Sequence, residues 1–418
     1  MMKSNAFITA LAFLALLRCS NPTAGGSGTE TINTFVSLPG GTPATGAVVK
    51  VIDAHGWVDS IRLKKSPVLE STTVAANGGF FLQSQPSRMV NIQIDNGATG
   101  RFLHQVRAGQ LVGDTLFLDS TRFYGAAVDR PMAGDIAFRL SGTTYVSQIT
   151  SPREIRMRNI APGSYTLVAM DTAADGHPVI IKGVDLSSSV QPVQPPLELD
   201  LDRILLDDFE TGVGPTTISR IFQGISWYTY SDSGAQEWDD AQRRWVAVED
   251  GFVPQASSWM SIDSVDDGRG GKAAFFSASL DYTVDPPWAG AGFRLRRSGK
   301  EHVDLSMMQS FSLRVRGTGA VTVRLETDTY DSIGQGYSQF SAVINLTETW
   351  QTHTIPVSSL NLSMPLEATQ QFVPWESASQ AVNKIEFEFT GSNNTAETVQ
   401  LYLDEIYLNG VTTRVFME

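Results

Sequence analysis

The chain has 418 residues, 42% hydrophobic and 18% charged, which is long enough for several cores and too weakly charged for a disordered polymer. A net charge of −13 excludes a large phosphate-binding surface, so nucleic acid is not an expected partner. Five histidines and one cysteine leave little material for a zinc or iron–sulfur centre.

Lys3 precedes an uncharged apolar run from Ala6 to Leu17. That run is shorter than the roughly 20 residues a spanning helix needs and fits the apolar region of a secretory signal. It ends in Leu16-Leu17-Arg18-Cys19-Ser20, and Cys19 is the sole cysteine. The placement resembles a bacterial lipoprotein signal, in which the cysteine is lipidated and becomes the new N-terminus. Arg18 stands where a small residue is usual, and the alternative is an ordinary cleaved signal. Residues 1–19 are thus expected to be a lipoprotein-type signal with lipidation at Cys19. The implied location is secreted and lipid-anchored at the outer membrane or cell surface. Residues 20–30, rich in Gly, Ser and Thr, predict a flexible tether.

Beyond the tether no helical period is sustained, and short period-two runs separated by Gly, Asn, Asp and Pro dominate. The predicted class is all-β. Gly46–Ile52 reads as a strand, and Thr72–Leu82 as strand, turn, strand, with Asn77-Gly78 supplying the positive φ of a tight turn. These motifs, with the Phe80-Phe81-Leu82 that follows, resemble carboxypeptidase regulatory-like (transthyretin-like) sandwiches, which implies a spacer over residues 31–118. A second small sandwich is expected over 119–200, from the strand at Ile136–Gly142 and the pair within Ile155–Ala169. The Asn159–Leu167 segment is similar to the last hairpin of the same spacer family. Gln191-Pro192-Val193-Gln194-Pro195-Pro196 predicts a stiff linker closing that region. Only Trp57 precedes it, while the other seven of the eight tryptophans follow, which directs the search for a site to residues 201–418.

That last domain opens with Leu205-Leu206-Asp207-Asp208-Phe209-Glu210 and closes with Leu401-Tyr402-Leu403-Asp404-Glu405-Ile406. Between them lie Trp227-Tyr228-Thr229-Tyr230, Asp267-Gly268-Arg269-Gly270-Gly271-Lys272, the strand Phe311–Arg316, Thr349-Trp350 and Ile385–Phe389. Their order resembles the family 11 carbohydrate-binding modules and their galactose-binding-like jelly-roll relatives. The resemblance implies a two-sheet jelly roll that binds β-glucan chains on a concave face.

Residue patterning supplies candidates independently. If Val321 to Tyr330 is one strand, Val321, Val323 and Leu325 face the core while Arg324, Glu326, Asp328 and Tyr330 share the outer face. Tyr228 and Tyr230 share a face of their strand, as do Glu386 and Glu388. Charged groups suit the hydroxyl rim of a sugar and aromatic rings its apolar face; the alternative is a solvated sheet face. The resemblance implies that first and last strands are neighbours, so Asp208, Glu210 and Asp404 could converge on a structural calcium, which is common in that family; otherwise they cap turns or pair with arginines. Hydrolase, metalloprotease and phosphate-loop motifs are absent from the sequence. The expected protein is a non-catalytic, monomeric surface lipoprotein that binds polysaccharide. The rivals are a jelly-roll glycoside hydrolase pairing Glu326 with Glu386 or Glu388, and a purely structural component.

Overall fold

The computed structural model describes residues 30–417, apart from segments at 55–56, 63–64, 85–88, 108–110, 112, 130–135, 152, 172–177, 190–195, 201, 223–224, 232–233, 240–243, 248–258, 281–285, 297–299, 335–337, 365, 367–370 and 392–396. Cys19 and most of the expected linker lie outside the described residues. The chain is all-β, as expected, in three packed sandwiches.

The first sandwich sets a five-stranded sheet against a three-stranded one. The expected unit at Thr72–Leu82 contains the predicted turn, with Gly78 at φ +86° and Asn77 Oδ1 accepting from Gly79 N at 3.0 Å. Its strands do not form a hairpin, however. Val68–Thr73 pairs with Val48–Asp53, whereas Gly79–Ser84 pairs with Glu30–Ser37 in the opposite sheet. Val74, buried between them, lets the chain arch across the core. The second sandwich repeats this: Glu154–Ile160 and Ser164–Asp171, expected as a hairpin, belong to different sheets around Phe138, Leu140, Ile155 and Leu167. The expected boundary near 118 shifts slightly, because Asp119–Ser120 still pairs with Thr99–Gly100 of the first sandwich.

The sandwiches are not beads on a string. Lys50 Nζ and Tyr145 Oη both reach Asp95, at 2.8 and 2.9 Å, joining the first to the second. Arg220 Nη1 donates to Ser164 O at 3.0 Å, and Lys272 pairs with Asp185 at 2.7 Å, joining the second to the third. Val168, Met170 and Ile180 pack into the same apolar cluster as Ile204, Trp227 and Phe293.

The third domain is a jelly-roll sandwich. One sheet runs 259–266, 272–280, 397–409, 310–317, 351–356, with Arg203–Asp207 also paired to 397–409, so first and last strands are neighbours as expected. The other runs 244–247, 234–239, 227–231, 288–294, 382–390, 320–327, 340–345, 361–362. Val321, Val323 and Leu325 alternate into the core against Phe387, Phe311 and Leu403, all essentially fully buried. Period-two alternation of this kind buries one face and presents the other.

Candidate functional site

The outer face of the eight-stranded sheet carries an open groove of about 650 Å3, within the range of ordinary ligand sites. Register explains its composition. Tyr230 stands opposite Gly290, Gly290 opposite Glu388, and Glu388 opposite Thr322. The next row is Tyr228, Gly292, Glu386, Arg324 and Ser341.

The two glycines make the groove. A Cβ on Gly290 would lie 2.4 Å from Tyr230 Cζ, and one on Gly292 would lie 2.6 Å from Ile385 O and 2.9 Å from Glu386 Cγ. Their bare backbone lets both tyrosines lie across the central strand, so that Tyr228 Oη donates to Glu386 and Tyr230 Oη does so at 3.3 Å. Glycine inside a strand often marks such a close approach. Trp288, 5.7 Å from Tyr230 between ring centres, extends the aromatic side. Burial, with the Glu386 carboxylate alongside, pushes both phenols well above their ordinary range and keeps them protonated donors.

Arg324 organises the floor. Its Nη2 lies 2.7 Å from Glu388 Oε1, and its Nη1 lies 4.0 and 3.9 Å from Glu326 and Glu386. Lys384 Nζ donates to Glu326 Oε2 at 2.5 Å. Burial, followed by the adjacent Glu386 carboxylate to which it hydrogen-bonds, pushes Glu326 up to about 7. An acid raised in the folded state holds its proton more tightly there than when unfolded. Glu326 therefore contributes stability that is complete below about pH 4.5 and is lost as pH rises through about 7. Glu326→Gln should flatten this loss, so the melting temperature of the variant falls less between pH 5 and pH 7.5 than that of the parent.

Of the outer-face residues expected from the sequence, Tyr228, Tyr230, Arg324, Glu326, Glu386 and Glu388 come together. Asp328 and Tyr330 do not, because the strand stops at Thr327. Thr327 N donates to Gln339 Oε1 at 2.9 Å, and Thr327 caps a short helix, Asp328–Ser332. That turn sends Tyr330 into the core, fully buried, where its Oη donates to Val373 O at 3.0 Å. Asp328 faces His302 and Asn383, each at 2.6 Å. Trp288, Gly290 and Gly292 were not foreseen, although the Gly-Ala-Gly alternation beside a tryptophan was available as a signal.

The acids expected to bind calcium do meet at a seam, since Asp208 raises the affinity of both Glu210 and Asp404 for protons. Protein donors already take them. Asp208 accepts from Gly183 N at 2.6 Å and from Thr217 Oγ1 at 2.7 Å, while Asp404 lies 2.8 Å from Arg314 Nη1. Among the described residues no group of three or more His, Cys, Asp or Glu is arranged to hold a metal ion.

No family model matches the chain, and no curated protein matches it. The chain resembles the family 11 carbohydrate-binding module from Clostridium thermocellum, solved with a β-1,3-1,4-mixed-linked tetrasaccharide, at 16% identity and a TM-score of 0.33, covering 51% of this chain and 99% of that one. It also resembles the family 30 carbohydrate-binding module of the cellulosomal cellulase Cel9D-Cel44B of the same organism, at 14% identity and a TM-score of 0.24, covering 37% of this chain and 92% of that one.

Proposed function

We propose that this chain is a non-catalytic surface protein that binds an uncharged polysaccharide of the β-glucan type in the groove of its C-terminal jelly roll. The observation that carries the reading is the pairing of the Tyr230 and Trp288 rings with a floor of fixed carboxylates and a guanidinium. A pyranose ring offers apolar C–H faces to stack on aromatics and hydroxyls to hydrogen-bond at its rim. The charges of the floor largely satisfy one another, which suits a neutral chain better than an anionic one. An open groove, rather than a closed pocket, suits a polymer entering from its side. Lipidation at Cys19 would hold the protein at the membrane, so that it captures glycan for separate degrading enzymes.

The full chain is the right material for the test, because the second sandwich shares apolar contacts with the jelly roll. In affinity gel electrophoresis against soluble polysaccharides, a β-glucan should retard the protein. Trp288→Ala should weaken that retardation by roughly tenfold or more, with the melting temperature little changed. A folded protein retarded by no glycan would overturn the reading.

A further inference from the structure

The three-stranded sheet of the first sandwich has one buried face and one apolar face that the described residues leave open. Thr34, Val36, Phe80, Leu82 and Leu116 point into the core, while Phe35, Phe81 and Phe117 are 41%, 52% and 55% exposed. Phe35 stands opposite Gly79 on one side and Thr115 on the other. Phe81 lies opposite Asn33 and Phe117 opposite Ser37, two residues to either side of Phe35. The three rings therefore form a diagonal stripe across the sheet, with neighbours roughly 7–8 Å apart at Cα. The described positions on this face, Phe35, Ser37, Gly79, Phe81, Thr115 and Phe117, include no charge, in a chain whose net charge is −13. A contiguous exposed apolar patch commonly marks an interaction site.

We infer that Phe35, Phe81 and Phe117 form a lipid-docking face that seats the first sandwich on the membrane surface. This rests on the membrane-anchored part of the reading above and is independent of glycan binding. The strand that carries Phe35 begins at Glu30, shortly after the apolar run Ala6–Leu17 and Cys19. Only the ten residues from Ser20 to Thr29 separate Cys19 from that strand, and a flexible tether of that length would span about 18 Å root-mean-square, within a domain's width of the bilayer. Lipid chains anchor more durably when a second apolar or charged contact joins them. A second copy of the chain fits less well. Three half-exposed phenylalanines offer roughly 300 Å2 of ring surface, well short of the ~800 Å2 per partner of a standard interface.

The test uses the full chain with Cys19→Ser, so that Thr115→Cys can carry a single environment-sensitive dye. Vesicles of phosphatidylethanolamine and phosphatidylglycerol should shift the dye to the blue, and spin-labelled lipids should quench it. The same dye at Ser71→Cys, on the other sheet, should not respond. Replacing Phe35, Phe81 and Phe117 together with serine should lower the dye-reported partition on the order of 100-fold. Vesicle association with a silent dye at position 115 would overturn the docking face and assign the binding to the apolar run Ala6–Leu17. No association at all would overturn the docking face as well. A blue-shifted dye without vesicles would mean that the chain itself or a second copy covers the stripe, and sedimentation would separate those two.

Discussion

Arg314→Met should destabilise the jelly roll by about 3–5 kcal/mol, the usual effect of removing one partner from a buried ion network. Arg314 is 3% exposed, and its Nη1 lies 2.8 Å from Asp404 Oδ2 and 3.4 Å from Asp267 Oδ2. Its guanidinium also stacks 4.2 Å from the centre of the Trp350 ring. Methionine keeps much of the packing on Trp350 but strands the acids. Burial, then the Glu405 and Asp208 carboxylates, pushes Asp404 up to about 8 even with Arg314 beside it. Without the guanidinium only the Glu405 N–H, 2.8 Å from Asp404 Oδ1, opposes that rise, so Asp404 should remain protonated at still higher pH. The variant's deficit should thus be smaller at pH 5 than at pH 8.5. Adding Asp404→Leu should restore part of the stability by removing the stranded group altogether. Thermal unfolding at the two pH values, for the single and double variants, checks both statements. A deficit that is equal at both values would show that packing on Trp350, and not charge, gives Arg314 its importance.

The same residue shows how far the sequence could be read. Arg314 sits in a strand whose existence and facing were plain from alternation, as were the core positions Val321, Val323 and Leu325. Adjacency of the first and last strands was an implication of the jelly-roll resemblance, and it does bring Asp208 near Asp404. What the sequence could not show is that an arginine several strands of chain away from both would reach Asp404 and Asp267 first. Side-chain partners at sequence separations of 47 and 90 residues depend on register, which local pattern does not encode. Tyr330 illustrates a different limit. Period-two logic carried past Thr327 puts the ring on the outer face, but one capped helical turn reverses it into the core. The arches at 74–79 and 160–164 fail for a third reason. A tight turn looks the same in sequence whether the following strand pairs with its predecessor or crosses to the facing sheet. Tryptophan usage pointed to the domain that carries the groove, yet Trp227 and Trp375 are core residues and Trp350 belongs to the Arg314 cluster. Only Trp288 lines the groove among the described tryptophan side chains.

Gly290→Val should abolish glycan retardation while leaving most of the fold intact. The strand Trp288–Arg294 lies between the tyrosines and the glutamates, and its outward positions 290 and 292 are bare. A Cβ at 290 would stand 2.4 Å from Tyr230 Cζ, 2.5 Å from its Oη and 2.9 Å from Phe387 O. The ring is the movable partner, so it must swing off the floor, which separates it from both Glu386 and Trp288. Val is a good strand former, which offsets part of the cost of crowding Phe387 O. Binding should consequently fall by roughly 100-fold while overpacking lowers stability by only about 1–3 kcal/mol. The control is Tyr230→Ala, which removes the ring without adding a side chain. If the glycine acts by seating Tyr230, the two variants should lose binding equally, and Gly290→Val combined with Tyr230→Ala should lose no more than either alone. Additive losses would mean that the ligand itself touches the bare backbone at Gly290, which would place the chain deeper in the groove than the tyrosine rings do.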